Sequence, residues 1–293
     1  MSSKTLFEKG EVMIYLSAFA DEAADSLLEQ IKALKKNNIP YLELRTVDGI
    51  GVKDLTVQKA KEVKRILDEN EIKVYSIGSP LGKVDISVDI EEYMNVVRHI
   101  CVLANIFETT RVRVFSFFNA FEQREKVITY LNKMVAVAKE YGVELYHENE
   151  KDIYGDIAER VEDVLTNVNG LKSIYDPSNY LFCGQAPEQT AWLQKKTDYF
   201  HIKDSILGTC QIVPAGYGDG KIDELVANIT EDKVLSIEPH LKVFKAFSQI
   251  DSTEMKHKYY YESNAEAFDA AVAALKDLLK KAGYKEINGA FVK

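Results

Sequence analysis

No two cysteines of this sequence form a Cys-x-x-Cys pair. Cys101, Cys183 and Cys210 stand apart and are odd in number, which argues against a disulfide framework and suits reduced thiols in a cytosol. No apolar run approaches the ~20 residues of a membrane-spanning helix. The opening MSSKTLFEKGEV lacks the apolar stretch of a signal peptide, so a cytoplasmic protein with no membrane partner is expected. Basic residues are the minority, 37 against 46 acidic ones for a net charge of −9, and nowhere do they cluster. Such a surface repels phosphate backbones, which argues against nucleic acid as a partner. The first apolar run ends in Phe19-Ala20-Asp21-Glu22 without a glycine, against the Gly-rich turn of a doubly wound dinucleotide fold. There is also no linker, low-complexity tract or composition shift, and residues 1–293 read as one domain. The Asn228-Ile229-Thr230 sequon would matter only after secretion and is read as chance.

What is present is an alternation. Val12–Phe19 reads as a buried strand, with Asp21 or Asp25 as a cap for a helix whose stripe is Leu27, Leu28, Ile31 and Leu34. Ile39–Arg45 is a second strand, followed by Thr56 as a cap and by Val57, Ala60, Val63, Ile66 and Leu67 at helical spacing. Ile72–Ile77 leads into a loop at Gly78-Ser79-Pro80, then a helix through Tyr93, Val97 and Ile100. Arg111–Phe117, Val143–Lys151, Leu171–Tyr175, Tyr199–Lys203 and Val234–Ile237 supply five more strands, each followed by a helical segment. Strand-then-helix units repeating at roughly thirty residues match the βαβ unit, whose crossovers make neighbouring strands parallel. Eight of them close most economically as a (β/α)8 TIM barrel, an α/β fold with an eight-stranded parallel barrel inside a ring of helices. Residues 242–262 form a long connection after the last strand, which could cover a pocket, pack on a second subunit of a homo-oligomer, or simply pack on the surface.

In such a barrel the chemistry sits where strands end. Strand five ends at Glu148, strand six at Asp176, strand seven carries His201, and strand eight ends at Glu238. Each has an ordinary explanation taken singly: a turn, a cap, a core histidine, a strand stop. On consecutive strands of one closed barrel all four can converge on the axis, because side chains alternate along a strand. Three carboxylates crowded there repel one another unless a cation intervenes. One imidazole with three carboxylates suits a single divalent ion, Mn²⁺, Mg²⁺, Zn²⁺, Co²⁺ or Fe²⁺, without choosing among them.

The phrases HENEKDIYGD, YDPSNY, HIKD, VPAGYGDGKID and SIEPHL, in this order, resemble the sugar phosphate isomerase/epimerase group of the xylose-isomerase-like TIM barrels. The resemblance runs from about residue 12 to 282 and is specific for the superfamily, not for a substrate. It implies metal ligands at Glu148, Asp176, His201 and Glu238, with Glu148 and Glu238 as acid and base on either side of a sugar carbon. One departure is Asn179, where many relatives carry a histidine. Asparagine is a poor metal ligand, which weakens the analogy to the multi-zinc abasic-site endonucleases that share the fold.

The expected reaction is isomerisation or epimerisation of a sugar or sugar phosphate through proton abstraction and a metal-bound enediolate. Alternatives on the same site are a keto-polyol dehydratase and a carbohydrate-binding barrel without turnover. Further substrate-binding candidates are Glu43 and Arg45 at the end of strand two, Asn179, Lys203 and His240, with Arg113 and Ser116 as weaker ones. Gly216, Gly218 and Gly220, with Lys221, could cradle a phosphate in the loop after strand seven or simply connect.

Overall fold

Period-two alternation of apolar and polar residues, repeated eight times, builds the centre of the molecule. The computed structural model describes residues 11–242, 256–257 and 259–293. Its barrel strands are β1 Met13–Ala18, β2 Tyr41–Leu44, β3 Lys73–Leu81, β4 Arg111–Val114, β5 Glu144–Glu148, β6 Lys172–Tyr175, β7 Tyr199–Ile202 and β8 Lys233–Ile237. Each pairs in parallel with the next, and β8 returns to β1 in the register Ile14↔Lys233 through Ala18↔Ile237, closing the barrel. Two further strands, β9 Lys285–Ile287 and β10 Ala290–Val292, form a hairpin. Its β10 lies antiparallel on the first half of β1, with Met13 opposite Val292, while the second half of β1 pairs with β2. Most of the connection expected over residues 242–262 lies outside the described residues.

Helices follow the strands in turn: α1 Leu27–Lys36, α2 Val57–Glu69, α3 Ile90–Ile106, α4 Arg124–Glu140 and α5 Ala158–Asn167. After β6 come two short helices, α6 Pro177–Phe182 and α7 Pro187–Thr190. After β7 comes α8 Ile222–Ala227, and after β8 α9 Asn264–Lys281. Among the described residues no helix is long and apolar enough to cross a membrane. Two local expectations change. The cap of α1 is Ser26, whose Oγ accepts from the Glu29 N–H at 3.3 Å, because the Asp21 carboxylate is taken by Arg45. Leu28 and Val57 face outward, 58% and 40% exposed, so the buried stripes narrow to Leu27, Ile31 and Leu34 on α1 and Ala60, Val63 and Leu67 on α2.

Gly78-Ser79-Pro80, read as a loop, belongs to β3. Ser79 Oγ donates to the Arg113 carbonyl, which ties this irregular stretch to β4, and the register between the two strands shifts between Ile77 and Leu81. Outward-facing strand residues such as Leu42, Leu145, Phe200 and Leu235 join the helices in the main core. Inward, the barrel floor is a separate cluster of Tyr146, Ile174, Tyr199 and Val234 with Tyr15 and Tyr75 packed against it. The Tyr75 and Tyr146 rings meet Tyr199 at centroid distances of 5.2 and 5.6 Å. This apolar plug closes one end and leaves the polar residues above it facing the other.

Candidate metal and active site

Two residues up a strand is a rise of about 6.6 Å on the same face. On β5 that step leads from Tyr146 to Glu148, on β7 from Tyr199 to His201 and then Lys203, and on β8 from Val234 to Ser236 and then Glu238. The register sets Ser236 opposite His201, so these layers meet at matching heights. Asp176 follows β6 and caps α6, its Oδ1 accepting from the Asn179 N–H at 3.0 Å. A reciprocal pair, Asn149 Nδ2 to the Asp176 carbonyl and Asp176 N–H to Asn149 Oδ1, both 2.9 Å, locks the ends of β5 and β6 together.

The result is one buried group. Ligand atoms of Glu148, Asp176, His201 and Glu238 all lie within 4.8 Å of one another. His201 Nδ1 stands 2.8 Å from Glu148 Oε1 and 3.3 Å from Glu238 Oε2, and Lys203 Nζ stands 2.8 Å from Asp176 Oδ2 and 3.8 Å from Glu238 Oε2. Asp176 Oδ2 and Glu238 Oε2 are buried and make no well-directed hydrogen bond, with only the charges of Lys203 and His201 facing them. Buried carboxylate oxygens without directed partners are costly unless a cation takes them. Three buried carboxylates and an imidazole with ligand atoms this close form a donor set that fits a divalent ion.

The electrostatics follow from the crowding. Burial alone would raise the Glu148 carboxyl, but the charges of His201 and Arg113 prevail and hold it at about 2. Burial wins at Asp176, pushed up to about 6 against the pull of Lys203. Glu238 lies well below the ordinary carboxyl range because Lys203, His201 and His240 outweigh its burial. His201 in turn is driven well above the usual imidazole value, its burial overcome by Glu148 and Glu43.

The other expected residues fall around this group. Arg45 packs over the Phe19 ring and donates to Asp21 through Nε and Nη2, both at 2.9 Å, and to Glu238 Oε1 at 2.6 Å. His240 meets Glu22 through its N–H at 2.7 Å and its Nδ1 at 2.8 Å, while its Nε2 is 3.9 Å from Glu238. Glu22, Glu238 and His240 thus form a second close acidic cluster, bridged by the guanidinium of Arg45. Asn179 donates to the Asn149 carbonyl at 2.9 Å and reaches Glu148 Oε1 at 3.5 Å.

Three expectations are corrected. Glu43, expected to meet substrate, sits beneath His201, accepting from His201 Nε2 at 3.1 Å, Ser236 at 2.7 Å and Tyr199 at 3.0 Å. Ser116 points away from the site, toward His147 and the Gly155 N–H. The glycine loop after β7 cradles an anion that belongs to the protein: the N–H groups of Gly216, Gly218 and Gly220 donate to the Asp204 carboxylate at 2.8, 3.0 and 3.0 Å. Lys221 turns outward to Glu188 and Glu224.

Arg113 is more central than the sequence suggests, 3.0 Å from Glu148 and 3.6 Å from Glu238. Phe19, Asp21, Glu22 and Asn149 were not expected. Phe19 was open to the strand-end argument, since it follows β1 directly and its ring packs edge-on against His201 at 5.2 Å.

A closed eight-stranded parallel barrel ringed by helices is the architecture of the xylose isomerase-like TIM barrels. The sequence model of that family matches residues 31–243, and the chain belongs to it. No curated protein matches the chain. Among solved structures it is similar to IOLI protein with a binding zinc atom, at 17% identity and a TM-score of 0.70 over 92% of this chain and 99% of that one. L-ribulose 3-epimerase aligns at 15% identity and a TM-score of 0.66, over 92% of this chain and 97% of the other. A xylose isomerase-like TIM barrel protein from Mycobacterium smegmatis in complex with magnesium aligns at 12% and 0.64, over 92% and 97%. Identities this low establish the shared fold alone.

Proposed function

We propose that the protein is a divalent-metal-dependent isomerase or epimerase of a sugar or sugar phosphate. The observation that carries this reading is the convergence of Glu148, Asp176, His201 and Glu238 within 4.8 Å at the ends of four consecutive barrel strands. When bound there, a divalent cation would polarise a sugar carbonyl and acidify the adjoining C–H.

The remaining steps belong to side chains of this chain. Glu148 on β5 and Glu238 after β8 supply two carboxylates from different sides of the mouth, and Arg113 touches both. One takes the proton from the carbon next to the carbonyl. Return of a proton to the opposite face of that carbon gives epimerisation, and return to the neighbouring atom gives isomerisation. Lys203, held between Asp176 and Glu238, would donate to a substrate oxygen. Asn179 offers its amide to a hydroxyl beside Glu148, and Phe19 walls the site off from water.

The test is the metal content of the purified protein beside Glu148→Gln and His201→Ala, with circular dichroism to establish that each variant is folded. Metal retained by the parent and lost by both variants supports the site, while equal metal in all three rejects it. Incubation with candidate sugars in D2O then reads the reaction. Deuterium at carbon without a mass loss supports isomerisation or epimerisation, whereas loss of one water would replace that reading with a dehydratase.

A further inference from the structure

The barrel mouth is electrically divided. Strands β5 to β8 carry the acidic group, while β2 to β4 and the residues after them line a cavity of about 400 Å³. Its wall includes four cations, Arg45, Lys53, Lys83 and Arg113, and a single carboxylate, Asp54. Such a volume is within the usual range for a small-molecule site, and a cleft with one dominant sign of charge concentrates ligands of the other. The cavity shares walls with the candidate metal group. Arg45 reaches Glu238 at 2.6 Å and Arg113 reaches Glu148 at 3.0 Å, so a molecule held by those glutamates has this cavity beside it.

The cations are not equally committed. Arg45 is engaged by Asp21, Glu22 and Glu238. Arg113 donates to the Ser79 and Gly78 carbonyls at 3.3 and 3.1 Å and to Glu148, and lies 3.6 Å from Glu238, three hydrogen bonds from a group with five N–H donors. Lys83 lies over the Phe115 ring and meets Glu150 at 2.8 Å on the side of β5, and Lys53 is exposed at the rim. A guanidinium with N–H groups in reserve, on a cavity wall that also carries two ammonium groups, is an arrangement that recognises carboxylate or phosphate oxygens.

We propose that this cavity is the subsite for an acidic group of the substrate, a carboxylate or phosphate ester at the end of the molecule remote from the reacting carbons. The substrate class narrows accordingly, from neutral sugars to sugar acids or sugar phosphates. This rests on the isomerase reading for the sugar part and on the cavity alone for the anion. It also moves the acidic group from the glycine loop, where Asp204 holds the backbone N–H groups, to the opposite side of the mouth.

The experiment measures binding of malonate and inorganic phosphate to the purified full-length protein by titration calorimetry, beside Lys53→Glu and Lys83→Gln. Lys53 is exposed, so its replacement leaves the packing of the barrel untouched. The expected result is saturable binding of at least one anion, weakened about tenfold by each substitution, as for loss of one charged contact. The anion that binds more tightly identifies the group as carboxylate or phosphate. Absence of saturable binding by both anions, or binding that neither substitution weakens, overturns the subsite. Metal content measured on the same preparations separates the two readings. Metal present without anion binding overturns the subsite and spares the metal site, while anion binding without metal does the reverse.

Discussion

Glu43 and Arg45 leave the same strand on the same face, two residues apart, yet their partners differ completely. Arg45 reaches Glu238 at the mouth, whereas Glu43 is buried below, held by Tyr199, Ser236 and His201. An acceptor on Nε2 fixes which nitrogen of the His201 ring faces the acidic group, as in carboxylate–histidine–metal arrangements. Glu43→Gln should therefore weaken metal binding by about 10- to 100-fold while the barrel stays folded, as read by competition with a chelator and by circular dichroism. Unchanged affinity would mean that His201 needs no such support. Strand alternation made the shared phase of these two residues legible in the sequence, as it did for Glu148, His201 and Glu238, whereas Asp176 was legible only as the end of its strand. Depth was not legible, because period two gives the face of a residue and not its height in a closed barrel. Arg113 was undervalued for the same reason: its role depends on Glu148 and Glu238, which lie 35 and 125 positions away.

At the scale of elements, the glycine loop after β7 shows how a motif can be visible while its purpose is not. Asp204 sits 12 to 16 residues before the N–H groups it accepts from, and spacing alone does not distinguish an internal carboxylate from an incoming phosphate. The structure explains the glycines. A Cβ on Gly218 would lie 2.4 Å from Asp204 Oδ1 and 2.5 Å from the Ser205 carbonyl, and a Cβ on Gly220 would lie 2.8 Å from the same Oδ1. Gly218→Ala should destabilise the protein by about 1–3 kcal/mol through overpacking of this turn, measured as a lower midpoint in urea denaturation. An unchanged midpoint would show that the turn can shift at little cost. Helix stripes were read more easily than their edges, with Leu28 and Val57 the errors, because one residue of rotation at the first turn decides whether a side chain reaches the core.

For the whole molecule, acid sensitivity has an identifiable contributor behind the barrel wall. His147 faces the helices rather than the axis and is fully buried, and burial lowers its imidazole to about 4, against the weaker opposing charge of Glu148. Above its ordinary value of 6.5 both folded and unfolded chains carry it neutral, and stability is unaffected. Between 6.5 and about 4 the unfolded chain takes up a proton that the folded one refuses, so stability falls with pH across that window. At full extent the loss is ~3 kcal/mol. His147→Gln should flatten this slope: the difference in urea midpoint between parent and variant should shift in favour of the variant from pH 7 to pH 4.5. A difference independent of pH would refute the assignment. The barrel itself was legible because eight apolar runs, each followed by a helical pattern, admit few closed arrangements. The terminal hairpin was not, since its strands are three residues each and too short to show a period.

That hairpin has a consequence for how the chain comes together. The first barrel strand must be flanked along part of its length by residues 290–292 and along the whole of its other edge by Lys233–Ile237, both more than two hundred positions downstream. During synthesis, β1 therefore finds an early partner only for its second half, in β2, while its first half on that side and all of its other edge stay unpaired until residues 233–237 and 290–292 emerge. The seam between first and last strands is the latest part of the architecture to become possible, and the stretch most exposed to wrong partners until it forms.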